Sequence, residues 1–573
     1  MYVSNITINK KVGAILVGVF FIFVVIVMRL IYLQVYCCDY FLLRSQKNFI
    51  RYETVNCPRG SIRDVQGNLL ATNRPITAVY WQGTGNSTLS GDQLELLQFI
   101  ETITHTTLTS GALCDAIVYG ERKHKKIELV SDIDFSMLSK LSEAFPHHEN
   151  LVVDTHFKRF YPYNTCGSHI VGYLGNIRVI ANGQLGLEKI FDADLCGKQG
   201  SMRNIVNSAG QKISHEELEK ALIGNDVDTT INIDIQMVCE AVFPDHQTGS
   251  LIVLNPVDGA ILALVSRPNF DPNIFLDPIS IDTWRDMQEK NPFLNRAFDA
   301  SYPSGSIFKL VTISAALEHG IIPIDSLWTC KGYTLFGKRK YWCARRSGHG
   351  EISIEKAVAQ SCNTLFFEIG KKIDIDLLAE YAHKFGLGKK TNIIFPEKMG
   401  LIPSREWKFD CKGERWWPGE TLSVTIGQSF LLVTPIQTAC MIASIFTGYL
   451  VAPRLLVDEP VVMTPLDIKP ETIEFLKKSM KSVVKSGTGR SVKNVKDIKI
   501  YAKTSTAQTS DFDKRKLDKK YLEHGWFVGH FQYKEYDPLV VVILVERVGT
   551  AQVATTIAKN FLIEYKKYKD SLC

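Results

Sequence analysis

From Val12 to Met28 no position carries a charge, and most hold Val, Ile, Leu or Phe. The apolar pattern resumes after Arg29 in Leu30, Ile31, Tyr32 and Leu33, and Arg29 is long enough to carry its charge to an interface. A spanning helix needs about 20 predominantly apolar residues, with ~17 near the lower limit. The stretch therefore predicts a single transmembrane helix. Lys10 and Lys11 precede it, which favours a cytoplasmic N-terminus. The neighbourhood of Tyr36-Cys37-Cys38-Asp39 offers no clean small-residue cleavage site, so the helix is expected to be retained as a signal anchor. No later segment is long and uncharged enough to return, and nearly everything after the anchor is expected outside the cytoplasm.

Beyond the tail and anchor of residues 1–38 the pattern divides in two. Residues 39–245 read as mixed short elements broken by many turns, and residues 246–573 as a more orderly α/β region. The orderly region opens with Leu251-Ile252-Val253-Leu254, a turn at Pro256-Val257-Asp258-Gly259 and a second run, Ala260-Ile261-Leu262-Ala263-Leu264-Val265. Two apolar runs joined by a Pro and an Asp-Gly turn predict a β-hairpin. A second hairpin is predicted from Trp526-Phe527-Val528 and the apolar run Leu539–Val545, with one more strand at Lys499-Ile500-Tyr501-Ala502. An amphipathic helix around Thr555 to Tyr568 closes the chain. Between the hairpins lies a mostly helical block. Its first helix starts near Ser306 and runs through Leu310, Val311, Ile313, Ala315, Ala316 and Leu317 to Gly320. It is apolar on nearly all faces, as a helix buried inside a domain is. The expected architecture is a layered α/β domain, with an antiparallel sheet drawn from both ends of the segment and helices inserted between.

Composition changes this picture little. At 573 residues the chain exceeds one ordinary core, and 45% hydrophobic with 22% charged residues is a globular balance. A net charge of +6, from 66 basic and 60 acidic residues, is mild over this length and gives no argument for nucleic acid. The 13 cysteines are odd in number and irregular in spacing, unlike the disulfide framework of a small secreted domain.

The buried helix begins Pro303-Ser304-Gly305-Ser306-Ile307-Phe308-Lys309. Ser306 and Lys309 are three apart and share a helical face. A serine hydroxyl is a weak nucleophile until a base takes its proton. A lysine in apolar surroundings has its charged form disfavoured, which suits it to that task. The bland alternative is a capped helix with a solvated lysine, and the pair alone does not decide. Two further elements do. Ser361-Cys362-Asn363 opens another helix-like run, and Lys503-Thr504-Ser505-Thr506 follows the strand at Lys499. An S-x-x-K, S-x-N and K-T-G-like series in this order, on helix start, loop and strand, is the acyl-serine pattern of penicillin-binding proteins and serine β-lactamases.

The chain resembles a class B penicillin-binding protein, a peptidoglycan D,D-transpeptidase, over almost its whole length. Arg29 with Leu33-Gln34-Val35 is similar to the family's exit from the membrane. Pro58-Arg59-Gly60-Ser61-Ile62 with Asp64 and Gly67, Arg159-Phe160-Tyr161-Pro162 with His169 and Gly172-Tyr173, and Gly186-Leu187-Glu188 resemble its non-catalytic pedestal domain. Gly348-His349-Gly350, Trp417-Pro418-Gly419-Glu420-Thr421, Ile426-Gly427-Gln428 and Thr434-Pro435-Ile436-Gln437 look most like the elongation branch. The resemblance implies a transmembrane anchor, an α+β pedestal over 39–245 and a serine β-lactamase-like transpeptidase domain over 246–573. It implies that Ser306 attacks the penultimate D-Ala carbonyl of a donor stem peptide, with Lys309 as base and Ser361 and Asn363 as proton relay and amide holder. Lys503, Thr504 and Thr506 would bind the donor's terminal carboxylate, and the Ser306 and Thr506 N–H groups the oxyanion. Ser505 stands where relatives usually have glycine. Side chains alternate along a strand, so Ser505 is expected to point away from Thr504 and Thr506, altering packing behind the strand without loss of catalysis.

Cys330, Cys343, His349 and Cys362 bracket the first half of the helical block, and three thiolates with an imidazole are a normal tetrahedral zinc set. A Cys330–Cys343 disulfide with Cys362 as a small buried residue is the alternative. By resemblance, the partners are peptidoglycan stem peptides, β-lactams, a SEDS-family glycan polymerase and other elongation-complex proteins. The place is the cytoplasmic membrane, with the catalytic domain on its outer side. A division-specific transpeptidase, a catalytically weak penicillin-binding scaffold, an exported serine hydrolase and a β-lactam sensor are the competing readings.

Overall fold

The computed structural model describes residues 2–55, 57–175, 181–206, 212–508, 518 and 521–572. A continuous helix covers Tyr2–Ile31, and within Lys11–Tyr36 it is long and apolar enough to cross a membrane. Within that span Ile15, Val17, Phe20, Phe21, Ile22 and Phe23 stand exposed, as a lipid-facing surface requires.

The described chain divides into two compact units that interleave along the sequence. The first comprises Met1–Pro58, Asn73–Lys158 and Gly197–Gly224. In it, Gly200–Val206 pairs antiparallel with both Ile50–Val55 and Lys212–Glu219. A separate core of Trp81, Leu96, Leu97, Ile100, Ile117 and Leu141 is closed by helices Gly91–Thr104, Gly111–Arg122 and Phe135–Ala144. The second unit comprises Arg59–Thr72, Arg159–Cys196 and Asn225–Cys573. A linear cut at Asp245, the expectation from sequence, therefore differs from how the chain packs: segments 59–72 and 159–196 belong with the C-terminal region. Glu188, wholly buried, ties these two segments to each other: its carboxylate takes Arg59 Nε at 2.7 Å, Arg159 Nε at 2.7 Å and the Tyr161 hydroxyl at 3.2 Å. The C-terminal region joins them where the Ile233 N–H donates to Asp64 Oδ2 at 3.1 Å and the Asn273 amide donates to the Tyr161 carbonyl at 3.0 Å.

The second unit is built on five strands, numbered in chain order: β1 Gly249–Leu254, β2 Ile261–Arg267, β3 Ile498–Ala507, β4 His524–Tyr533 and β5 Leu539–Val545. Their order in the sheet is β2-β1-β5-β4-β3, antiparallel throughout. Both predicted hairpins form, Leu251 opposite Val265 in the first and Phe527 opposite Ile543 in the second. The central strands β1 and β5 are largely apolar because both sheet faces are covered, whereas the edge strand β3 turns polar at Lys503–Thr506. Leu251, Val253, Val541 and Ile543 face a core with Ile557 and Phe561 of the C-terminal helix Gln552–Ser571. Ile252, Leu254, Val540 and Val542 face the other core, with Leu310, Ile313, Ile436 and Met441 of the helices Lys309–Glu318 and Pro435–Thr447. The second core carries the inserted helices, and at its edge lies the candidate chemistry.

Candidate active site

Ser306 does not sit on the α-helix proper. It occupies a single 3-10 turn, Gly305–Ile307, and the α-helix begins at Lys309. The turn is pinned from both sides. Gly305 N–H donates to the Gly427 carbonyl at 2.9 Å, and Tyr302 and Val433 exchange backbone hydrogen bonds. Gly305 adopts φ +52, the left-handed region that glycine enters without penalty. The consequence is a partly exposed Ser306 standing before a helix buried from Lys309 to Ala316, open to solvent yet fixed in place.

The structure brings the expected polar residues to this point. Lys309 Nζ donates to Asn363 Oδ1 at 2.7 Å, to the Ser361 carbonyl at 2.9 Å and to Ser361 Oγ at 3.0 Å. Ser361 Oγ in turn lies 2.7 Å from Ser306 Oγ. Lys309 thus reaches the Ser306 hydroxyl through that of Ser361, and a hydroxyl, being donor and acceptor at once, can pass a proton along. Ser361 holds φ +54, an uncommon conformation for a side-chain-bearing residue and one often found at functional sites. Asn363 starts the helix Asn363–Gly370, and its amide also donates to the Trp342 carbonyl at 3.4 Å.

Burial sets the electrostatics. Lys309 has no exposed surface, and loss of hydration pushes its amine down to about 8. Lys503, equally buried, is driven well below its usual value, first by burial and then by the Lys309 charge. Its Nζ donates to the Thr504 carbonyl at 2.9 Å and approaches Ser361 Oγ at 3.4 Å. Two amines therefore converge on one serine hydroxyl, and the Lys309 charge makes Lys503 easier to deprotonate.

The strand side differs in detail from expectation. Thr504 Oγ1 donates to Thr488 Oγ1 at 2.5 Å, and Thr506 Oγ1 accepts the Ala551 N–H at 3.1 Å. Both hydroxyls have protein partners that a carboxylate would replace or share. Ser505 points away from the two threonines, as strand alternation predicts, but packing is not all that it alters. The Ser306 backbone N–H donates to Ser505 Oγ at 2.7 Å, so what lies behind the strand is the peptide of Ser306 itself. Sequence reasoning also missed Thr488. Its signal was Gly487-Thr488-Gly489, a threonine between glycines just past the helix Pro470–Ser486.

Cys330, Cys343, His349 and Cys362 come together beside the loop that carries Ser361, all four ligand atoms within 4.8 Å of one another. Cys343 Sγ lies 3.6 Å from His349 Nδ1 and 4.0 Å from Cys362 Sγ. Zinc bonds of about 2.3 Å to sulfur and about 2.0 Å to nitrogen place tetrahedral ligands roughly 3.5–3.8 Å apart. The donor set and its spacing fit a zinc ion. The cysteines are free thiols, and no Cys330–Cys343 disulfide is formed. The contact between the Cys343 and Cys362 thiols draws the Cys343 thiol down and pushes the Cys362 thiol up, so the pair gives up one proton readily and a metal would have to displace the other.

With this geometry in hand, comparison with known proteins is specific. The penicillin binding protein transpeptidase domain matches residues 249–562, and the penicillin-binding protein dimerisation domain matches residues 54–229. The peptidoglycan D,D-transpeptidase MrdA of Acinetobacter baumannii is 27% identical, over 95% of this chain and 86% of its own. A solved structure described as structural coordination of polymerization and crosslinking by a peptidoglycan synthase complex superposes with a TM-score of 0.74 and 28% identity, covering 96% of this chain and 97% of that one. The complex between penicillin-binding protein (PBP2) and MreC from Helicobacter pylori shares the fold, with a TM-score of 0.75 at 24% identity over 91% of this chain and 99% of that one.

Proposed function

The chain belongs to the penicillin-binding protein transpeptidase family, and from that premise we propose that it is a membrane-anchored peptidoglycan D,D-transpeptidase of the elongation type, acting through an acyl-enzyme on Ser306. The observation that carries this is the hydrogen-bonded line from Lys309 through Ser361 to Ser306. Ser306 Oγ attacks the penultimate D-Ala carbonyl of a donor stem peptide as its proton passes through Ser361 to the neutral Lys309 amine. The C–N bond to the terminal D-Ala breaks, the proton is returned to the departing amine, and the acyl group rests on Ser306. The amine of a neighbouring stem peptide then takes the acyl group, forming the cross-link and freeing Ser306. Lys503, Thr504 and Thr506 bind the donor carboxylate, and Asn363 holds its amide. A β-lactam enters by the same first step, its ring C–N bond breaking while the penicilloyl group stays on Ser306.

Cys330, Cys343, His349 and Cys362 would hold one zinc ion, which would act as a structural clamp on the loop bearing Ser361 and Asn363 and take no part in acyl transfer. Support for the elongation role comes from the MrdA transpeptidases at 25% to 28% identity. A SEDS-family glycan polymerase as partner is supported by the likeness to a polymerization and crosslinking complex. The apolar helix within Lys11–Tyr36, with Lys10 and Lys11 before it, supports a single pass through the cytoplasmic membrane with the catalytic unit outside.

The test is intact-mass spectrometry after incubation with benzylpenicillin. A penicilloyl adduct is expected on the parent and absent from Ser306→Ala; an equal adduct on both, or none on folded parent, would refute the assignment. Metal analysis of the same protein is expected to find about one zinc per chain, lost in Cys343→Ser.

A further inference from the structure

Ser505 is 2% exposed on β3, and its oxygen lies against the turn that carries the nucleophile. Besides accepting the Ser306 N–H at 2.7 Å, it stands 2.4 Å from where a Cβ on Gly305 would lie. Trp526, the register partner of Ser505 on β4, donates its indole N–H to the Pro303 carbonyl at 3.1 Å. The sheet therefore holds the peptide chain on both sides of Gly305, and Ser505 Oγ is fixed where it sits. This rests on the acyl-transfer reading. There, the Ser306 N–H is one of two donors for the negative charge that develops on the acyl oxygen, and here that donor already has a partner.

We propose that Ser505 is a positioning residue that slows acylation by occupying the Ser306 N–H with its hydroxyl. The acyl oxygen can take this donor only by displacing or sharing the Ser505 hydrogen bond. That requirement falls on the transition state, where charge appears, and leaves the earlier non-covalent complex untouched. The bonds made and broken are the same with or without the hydroxyl. Ser306 Oγ–C forms, the amide C–N breaks, and the serine proton ends on the leaving nitrogen. Only the stabilisation of the oxyanion changes. One oxyanion donor is worth roughly 10²–10³ in rate, which sets a ceiling for what its occupation can cost.

The experiment measures acylation of the full-length protein by a fluorescent penicillin, separating the non-covalent dissociation constant from the first-order acylation rate. Parent, Ser505→Gly and Ser505→Ala are compared, and each rate refers to the acylatable fraction titrated at long times, so misfolded protein does not enter it. Both variants are expected to acylate about tenfold faster or more, below the ~10³ ceiling, at an unchanged dissociation constant. Rates equal to or below the parent's would overturn the proposal. So would acceleration in Ser505→Gly alone, which would assign the effect to the Cβ against Gly305 and not to the hydroxyl. Failure of the acyl-transfer reading looks different: no adduct on parent or variants at any time, and this inference falls with it.

Discussion

Lys309 shows how one residue's surroundings select its chemistry. It has no exposed surface, and it donates to three neutral oxygens, so burial dominates and brings the amine to about 8. On the proposed acyl-transfer mechanism the neutral form is the base. Acylation should therefore rise about tenfold per pH unit below pH 8 and level off above it, as a pH series of acylation rates will show. Lys309→Ala should lower the acylation rate by roughly 10²–10⁴ while the protein still binds the drug non-covalently. Lys309 was legible in the sequence because S-x-x-K on an apolar helix start already places the pair together. Ser361's role as the bridging hydroxyl was legible only as a motif. Its contact with Ser306 depends on a left-handed backbone that no pattern of hydrophobic residues encodes.

At the level of elements, the sequence was read most accurately where burial was complete. The strands β1, β2 and β5 are mainly apolar runs, and both hairpins and the terminal helix appear where the runs do. The nucleophile's turn was read less well. Periodicity places Ser306 on the helix, whereas Gly305 and its bond to Gly427 make a 3-10 turn first. The Ser505–Ser306 contact was hidden for a similar reason, since alternation gives the direction of a side chain but not the element waiting there. Capping was a clearer signal. Thr434-Pro435-Ile436-Gln437 forms a reciprocal capping box at the start of the helix Pro435–Thr447, with Thr434 fully buried. Thr434→Ala should cost about 1–2 kcal/mol in denaturant unfolding of the catalytic unit.

At the scale of the whole molecule, the compact units are not consecutive stretches of chain, and buried charge explains part of that. Glu188 answers both Arg59 and Arg159 with no exposed surface of its own. Glu188→Ala leaves two cations without their shared carboxylate and should cost about 3–5 kcal/mol by chemical denaturation. Acid should act on the same unit. Burial brings His169, His524 and His530 down to about 4, so they stay neutral in the fold while the unfolded chain takes up protons below about 6.5. Their contribution is full above pH 6.5 and is lost as pH falls toward 4, at most about 3 kcal/mol for each histidine. Thermal unfolding midpoints measured across that window should fall with pH, and less so in His530→Phe.

The order β2-β1-β5-β4-β3 puts the latest-made strand in the middle of the sheet. Synthesis and export run from the N-terminus, so β1 and β2 and the whole helical block emerge before the strand that joins them to β4 and β3. Until Leu539–Val545 arrives, the serine-bearing helix has no finished sheet to lie on, and its apolar face must be sheltered on the far side of the membrane. Acylation competence is therefore a late event in the life of each chain, gated by completion of export. A chain halted before β5 cannot take up a β-lactam at Ser306.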